Sequence, residues 1–378
     1  MPTRIEEIRS FLAHHDHSLA ARRLLDLSLD CSNEAILHET IQWSRNYRQA
    51  MKKSAEAEPG FYTTANDILE KLAPLAGTQS FAPGYLLKAE NITTTYSSGN
   101  FSLHPISVDI KAGDILGVVG ENGNGKTTLL RCLAGQLAPD DGALHYTQLV
   151  NPDHYSIKHH VAFIPQRIPR WYGQLKDNLH FAAAISGVTG KDNNLAVDFM
   201  LERLNLYDYA HLNWNQISSG YRTRFEIARV LLQKPSLLIL DEPLANLDIN
   251  AQQTILTDLK YLAKSTYHPM GVILSSQQLH EVEKIADRVL FIKKGKCVFS
   301  TGDAASETAY VLELETTASR DAIIDILGNE VQVQFNGGFY TITSGVHTTN
   351  AMLAKLLTSG MTISYFRDIT HSTKRFFN

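Results

Sequence analysis

The stretch Gly120-Glu121-Asn122-Gly123-Asn124-Gly125-Lys126-Thr127 is a complete Gly-x-x-x-x-Gly-Lys-[Ser/Thr] motif. The apolar residues 114–120 read as a short strand that leads into it, and residues 127–134 have helical spacing up to Gly135. In a strand–turn–helix context the glycines let backbone N–H groups converge on phosphate oxygens, and the helix N-terminus adds favourable partial charge. The stretch therefore predicts an α/β fold that binds a nucleoside triphosphate.

The motif assigns separate roles to its side chains. Lys126 is expected to reach the β- and γ-phosphates, and the Thr127 hydroxyl is expected to ligate Mg²⁺. The motif thus predicts a nucleoside triphosphate and Mg²⁺ as ligands. The residues expected to contact the nucleotide in this segment are Gly120, Asn122, Gly123, Gly125, Lys126, Thr127 and Thr128.

Two carboxylates follow a second apolar run. Residues 237–240 read Leu-Leu-Ile-Leu, a pattern typical of a central parallel strand that is covered on both faces. Asp241 ends the run and is expected to help hold Mg²⁺, while Glu242 is placed to accept a proton from the attacking water. Two acidic residues at a strand end are often merely solvated, but together with the phosphate-binding motif they indicate hydrolysis.

In this order the motifs resemble those of the ATP-binding subunit of an ATP-binding-cassette (ABC) transporter, over about residues 86–302. The resemblance implies a P-loop cassette with a RecA-like core and a helical subdomain. Residues 162–166 resemble the Q-loop, so Gln166 is expected to sense Mg²⁺ and the γ-phosphate. Tyr96 stands where the family has an aromatic residue that stacks on adenine, although a plain surface tyrosine remains the alternative.

Two further segments resemble parts of the family that act across a dimer. Residues 217–222 resemble the signature sequence, in which Ser218 and Gly220 are expected to cap the γ-phosphate bound to the other subunit. Residues 245–248 resemble the D-loop, so Asp248 is expected at the dimer interface. The resemblance thus implies that ATP is hydrolysed between two copies of the cassette.

The chain departs from the family pattern in two places. In the signature, Ser219 replaces the first Gly and Tyr221 replaces Gln, which we interpret as a tolerated variant. In the switch segment Gln277 stands where His is usual, so the side chain can donate an N–H but cannot carry charge. His280 is expected to be a solvated helix residue. Hydrolysis should survive on Glu242, with slower turnover than in His-bearing relatives.

Length and composition restrict the kinds of protein that this chain can be. The 378 residues exceed one typical domain, and a net charge of −4 gives no sign of a nucleic-acid-binding surface. The three cysteines are scattered, without metal-binding spacing, and favour a reducing compartment. Neither a membrane-spanning run nor a signal peptide is recognisable. A transporter of this kind would need its membrane part from a separate chain.

Both ends of the chain predict additional domains. Residues 1–75 read as a helical extension, 76–85 as a linker, 86–302 as the cassette and 303–378 as a small α+β unit. The three histidines at 14, 15 and 17 are expected in a polar turn between helices rather than at a metal. The C-terminal order βαββαβ, with a hairpin at Asn336-Gly337-Gly338, predicts a ferredoxin-like fold and resembles the appendage of many exporter-type subunits.

These features predict an ATPase on the cytoplasmic face of the membrane. Two copies are expected to form a two-cassette sandwich, as a homodimer. The pair would drive a separate membrane-spanning permease, and export is the expected direction. No nucleic-acid partner is expected. Two alternatives stay open at this point. One is a soluble ABC ATPase that does not transport, and the other is a nucleotide-gated regulatory module with little turnover, which Gln277 would favour.

Overall fold

The computed structural model describes residues 4–53, 59–75, 84–95, 101–150, 152–265, 268–300 and 310–370. The chain divides into two compact units, Met1–Ile115 with Thr127–Ser275, and Leu116–Lys126 with Ser276–Asn378. The first half of the chain contains, in order, α1 (Arg4–Ala13), α2 (His17–Asp30), α3 (Glu34–Lys53), α4 (Pro59–Leu72), β1 (Tyr85–Thr95), β2 (Ser102–Lys111), β3 (Ile115–Val119), α5 (Lys126–Leu133), β4 (Asp141–Tyr146), α6 (His154–His160), β5 (Val161–Ile164), α7 (Leu175–Ile185) and α8 (Gly190–Arg203).

The second half contains the signature helix, the remaining strands of both units and the C-terminal elements. They are α9 (Ser219–Leu231), β6 (Leu237–Leu240), α10 (Ile249–Ala263), β7 (Gly271–Ser276), α11 (Leu279–Val282), β8 (Arg288–Lys293), β9 (Lys296–Ser300), β10 (Tyr310–Thr316), α12 (Arg320–Leu327), β11 (Val331–Asn336), β12 (Phe339–Ser344), α13 (Thr349–Thr358) and β13 (Ile363–Asp368).

The N-terminal extension is a packed set of four helices. Its core consists of apolar side chains from α1 to α4, among them Ile8, Leu24, Trp43 and Ile68. Asp16 caps α2 by accepting a hydrogen bond from the Leu19 amide at 3.1 Å, which satisfies an otherwise unpaired N–H at the helix start. The helical extension expected from apolar spacing is therefore present. The linker 76–85 lies almost wholly outside the described residues.

The histidines of this extension pair with a tyrosine. The Tyr62 hydroxyl lies 2.7 Å from His15 Nδ1 and 2.9 Å from His17 Nε2. His15 has a positive φ of 60° in the turn between α1 and α2. No group of three or more His, Cys, Asp or Glu side chains suited to a metal ion occurs within the described residues.

The first unit also contains a buried parallel sheet and a small antiparallel one. Strands β5, β6 and β7 pair in parallel, with Leu238 beside Ala162 and Val272. All four residues of β6 are buried, as expected of a central strand that is covered on both faces. Strands β2, β1 and β4 form a separate antiparallel sheet in that order. Parallel strands place the ends of β5 and β6 side by side, which positions the residues that follow them.

In the second unit β3 pairs in parallel with β8, and β8 pairs antiparallel with β9. The C-terminal elements form an antiparallel sheet of order β11-β12-β10-β13, with α12 and α13 contributing to one apolar core. This strand order and the βαββαβ sequence are those of a ferredoxin-like fold. Gly337 and Gly338 have φ values of 58° and 93°, as a two-residue type I′ hairpin requires.

No helix within the described ranges is both long enough and apolar enough to cross a membrane.

Candidate nucleotide-binding and hydrolysis site

The phosphate loop surrounds its own lysine. Lys126 is 4% exposed, and its Nζ donates hydrogen bonds to the Gly120 carbonyl at 2.7 Å and to the Glu121 carbonyl at 3.2 Å. Gly123 and Gly125 have φ values of 78° and 102°, which side chains with a Cβ rarely adopt. The loop therefore curls around an ammonium group, which is the arrangement that binds phosphate oxygens.

Asn124 anchors this loop from the side. Its Oδ1 accepts a hydrogen bond from the Lys294 amide at 2.9 Å, and its carbonyl accepts one from the Gly295 amide at 3.1 Å. The Gly120 amide in turn donates to the Ser276 carbonyl at 3.4 Å. These bonds hold the loop at both of its ends. Sequence reasoning missed Asn124, because it occupies a variable position of the motif.

The first carboxylate after β6 lies beside the hydroxyl expected to ligate Mg²⁺. Thr127 Oγ1 donates to Asp241 Oδ2 at 2.7 Å, and Ser275 Oγ donates to Asp241 Oδ1 at 2.7 Å. Asp241 is buried, with 3% of its surface exposed. A hydroxyl and a carboxylate that meet at this distance form an oxygen donor pair of the kind Mg²⁺ prefers. The residues present therefore fit the metal that the motif predicts.

The second carboxylate is held by its backbone and by its side chain. The Glu242 amide donates to Ser275 Oγ at 2.8 Å, and Glu242 has a positive φ of 47°. Non-glycine residues seldom adopt this conformation, and it is common at functional sites. Gln166 Nε2 donates to Glu242 Oε2 at 2.7 Å. One continuous chain of hydrogen bonds thus runs from Thr127 through Asp241, Ser275 and Glu242 to Gln166.

A cleft opens beside Glu242. Its volume is about 170 Å³, enough for several water molecules. It is lined by Gln166, Trp214, Arg222, Asp241, Glu242 and Asn246, among others. The geometry thus leaves room for a water molecule next to the carboxylate expected to act as the base.

The signature turn begins a helix and contacts the D-loop. Ser218 is the N-cap of α9, exposed at the surface, and its hydroxyl accepts from the Tyr221 amide at 3.5 Å. Ser219, which replaces the usual Gly, donates from Oγ to the Asn246 carbonyl at 3.1 Å. A Cβ at Gly220 would lie 3.3 Å from Ala251 Cβ, so a side chain here would require Ala251 to shift by a few tenths of an ångström. The Ser219 bond is a contact that a Gly at this position could not make.

The other departure in the signature, Tyr221, is half-buried and packs against a second tyrosine. Its ring centroid lies 3.9 Å from that of Tyr209. Burial, reinforced by a hydrogen bond with Tyr209, raises the pKa of Tyr221 to about 12. The phenol is therefore neutral at physiological pH and does not add charge beside Ser218.

The D-loop aspartate also caps a helix. Asp248 is the N-cap of α10, and its Oδ1 accepts from the Ala251 amide at 2.8 Å. Its expected place at a dimer interface remains a prediction, because a cap is a sufficient reason for an aspartate here.

The switch segment follows β7. Gln277 is exposed, and the hydroxyl of the preceding Ser276 donates to Glu281 Oε2 at 2.5 Å and accepts from the Gln278 amide at 2.9 Å. His280 is exposed on α11. Tyr96, expected to stack on adenine, lies outside the described residues, and Asn122 is exposed in the phosphate loop. The roles of these residues stay predictions.

Comparisons with known proteins bear on the family to which the chain belongs. A family model described as ABC transporter matches residues 103–245. The SkfA peptide export ATP-binding protein SkfE of Bacillus subtilis is 31% identical over 246 residues, 64% of this chain and 97% of that protein. The phosphonates import ATP-binding protein PhnC of Treponema denticola is 28% identical over 253 residues, 63% of this chain and 98% of that protein.

A solved structure is also similar to this chain. The structure of cbiO1 from Clostridium perfringens, described as part of the ABC transporter complex cbiONQ, has a TM-score of 0.52 and 26% sequence identity. The match covers 57% of this chain and 88% of that one. The chain belongs to the ABC transporter ATP-binding proteins. It is an ABC ATPase that uses ATP and Mg²⁺, with a RecA-like core, a helical subdomain, an N-terminal helical extension and a ferredoxin-like C-terminal unit.

Proposed function

We propose that this ATPase works as a pair of cassettes, with ATP bound between them, and drives a membrane-spanning permease that is a separate chain. The observation that carries the proposal is the hydrogen-bonded chain from Thr127 through Asp241, Ser275 and Glu242 to Gln166. It links a hydroxyl, two carboxylates and a glutamine, which are the kinds of side chain that phosphoryl transfer to water uses, and this supports the proposal.

The side chains divide the chemistry among them. Lys126 would neutralise phosphate charge, and Thr127 and Asp241 would hold Mg²⁺, which would supply charge stabilisation for the transferring phosphoryl group. Glu242 accepts the proton of the attacking water, while Gln166 and Gln277 orient that water and the γ-phosphate. The second cassette would complete the site with its Ser218 and Gly220. Ser218 suits this role because it is exposed at the start of a helix, where anions such as phosphate bind favourably.

The surface expected to meet the permease is partly apolar. Tyr172, Phe181 and Ile185 are exposed by 80%, 68% and 62%, around α7 of the helical subdomain. Trp171, by contrast, is buried against Trp214 and donates from Nε1 to Glu226 at 3.1 Å. Exposed aromatic side chains are favoured at protein interfaces. Tyr172 and Phe181 are therefore the residues that we propose contact the permease, which would place the chain on the cytoplasmic face of the membrane.

Export is the direction that we propose, on the basis of the ferredoxin-like C-terminal unit. The names of the relatives include a peptide exporter at 31% identity and a phosphonate importer at 28%, a difference that does not separate the two directions. Gln277 favours a second candidate, a nucleotide-gated module with low turnover, because an amide cannot carry charge next to the γ-phosphate.

The proposal is tested with Glu242→Gln, which keeps the shape of the side chain and removes the base. We expect ATP binding to persist, turnover to fall by at least about 100-fold, and an ATP-dependent dimer to appear on size exclusion. Glu330→Gln, which changes an exposed carboxylate of the C-terminal unit, serves as the control and should match the wild-type protein. Unchanged turnover of Glu242→Gln would refute the assignment of the base. Co-purification with a membrane-spanning protein tests the partner, and its absence at normal turnover would favour a non-transport ATPase.

A further inference from the structure

Ser275 is a hydroxyl residue inside a strand that is otherwise buried and apolar up to its end. It lies on β7, where all six residues are buried, and its own exposed fraction is 0%. A buried hydroxyl must form hydrogen bonds to offset its desolvation, so its two partners indicate what it does. Sequence motifs give no role to this position.

The two partners of Ser275 are the two residues expected to perform the chemistry. The Glu242 amide can only donate, so Ser275 Oγ accepts at 2.8 Å, and the Ser275 proton is left to point at Asp241 Oδ1, 2.7 Å away. One hydroxyl thus fixes the rotation of the Asp241 carboxylate and the backbone of Glu242. Because Glu242 has a positive φ of 47°, its backbone needs such a restraint.

We propose that Ser275 is a positioning residue for hydrolysis, which orients Asp241 toward the metal and Glu242 toward the attacking water. This inference rests on the proposed function of the two carboxylates. Thr127 bonds to Oδ2 of Asp241 and Ser275 bonds to Oδ1, so the bond from Ser275 would remain if Thr127 and Oδ2 held a metal ion. Hydrogen bonds to charged groups are among the stronger ones in proteins, which makes this restraint effective.

The test compares Ser275→Thr, which keeps a hydroxyl, with Ser275→Val, which has the same shape without one, and with Ser275→Ala. In single-turnover hydrolysis at saturating ATP we expect Val and Ala to be slower than wild type by about 10- to 100-fold, and Thr to recover most of the rate. The Kd for ATP without divalent metal should change by less than about threefold, because the Ser275 hydroxyl is already bonded to the Glu242 amide and to Asp241.

A second measurement does not depend on activity. In the Glu242→Gln background, Mn²⁺ binding to the ATP-bound protein, followed by electron paramagnetic resonance, should weaken about tenfold with Ser275→Val and stay unchanged with Ser275→Thr. Ser28→Ala removes another fully buried hydroxyl, one that lies between the Leu24 carbonyl and Thr40 in the N-terminal helices. This control should lower the melting temperature without changing Mn²⁺ affinity or single-turnover rate.

The outcomes separate this proposal from the one it rests on. If Glu242→Gln is inactive while Ser275→Val equals Ser275→Thr in rate and in Mn²⁺ affinity, Ser275 does not position the carboxylates. The same conclusion follows if Ser275→Val and Ser275→Ala lower only the melting temperature, as the Ser28→Ala control should. If Glu242→Gln retains turnover, the proposed base is wrong, whatever the Ser275 variants do.

Discussion

At the scale of single residues, Gln277 is the least usual feature of the site. It follows the buried strand β7 directly and is exposed, so its amide is accessible to a ligand. An amide can donate one hydrogen bond to a phosphate oxygen and accept another, but it cannot respond to a proton. Turnover that depends on this position should therefore change when a group able to carry charge is introduced.

We expect Gln277→His to raise the single-turnover rate by about two- to tenfold, corresponding to roughly 0.4–1.4 kcal/mol of barrier, if the chemical step limits turnover. Steady-state ATPase and single-turnover rates of both forms are the measurement. His280→Gln, at an exposed position of the next helix, is the control and should change neither rate. A tenfold fall with His would show that the amide is adapted to its surroundings.

The sequence predicted which residues form the site better than it predicted the hydrogen bonds between them. The phosphate loop and the two carboxylates follow buried strands with a clear apolar pattern, so Lys126, Asp241 and Glu242 could be located from residue order alone. Ser275 could not, because its role depends on two residues more than thirty positions away. The hydrogen bond from Ser219 to Asn246 could not be predicted for the same reason, because residue spacing does not show which loops contact each other.

At the scale of elements, the helical extension is joined to the cassette by buried charges. Glu202 on α8 is 1% exposed in its side chain and accepts from Arg45 at 3.0 Å and from Arg48 at 2.7 Å, both on α3. Arg203 donates from Nε to Asp26 on α2 at 2.7 Å. Burial lowers the pKa of the Arg203 guanidinium, but Asp26 and Asp258 outweigh it and raise the pKa overall.

Removing one partner of a buried pair is costly, because the other charges lose their compensation. We expect Glu202→Ala to lower the free energy of unfolding by about 3 kcal/mol. The control is Glu39→Ala, which breaks an exposed pair with Lys71 at 2.7 Å and should cost less than about 1 kcal/mol. Denaturant unfolding followed by circular dichroism measures both. Equal losses in the two variants would mean that the extension does not depend on this buried junction.

Element types were easier to predict than element limits. Helix α12 is present in the predicted βαββαβ order, and it lies between the Ser319 cap and Gly328, which has a φ of 95°. Helix α4 begins at Pro59, because Pro is tolerated in the first turn of a helix although it breaks the interior, so a proline alone did not locate the start of this helix. The ion pairs between α3 and α8 could not be predicted from the sequence, because charged residues on a helix face usually indicate a solvent-exposed surface.

At the scale of the whole molecule, the proposed sandwich makes each hydrolysis site from two chains. Lys126 and Glu242 would come from one copy and Ser218 from the other. In a symmetric pair the two sites are equivalent, so a variant of either class inactivates both sites of its own homodimer. A mixture of two inactive variants can then have ATPase activity that neither variant has alone. Such activity distinguishes a site shared between chains from a site within one chain.

We expect that mixing inactive Ser218→Arg with inactive Glu242→Gln restores up to about a quarter of wild-type turnover, because about half of the pairs are mixed and each mixed pair has one intact site. The matched control mixes Lys126→Ala with Glu242→Gln, where both changes affect the same chain's share of a site and no mixed pair has an intact one. ATPase activity of each mixture, measured after subunit exchange confirmed by differently tagged copies, is the readout. Recovery in both mixtures, or in neither, would contradict the division of the site, because only a composite site makes Ser218 complement Glu242 while Lys126 does not.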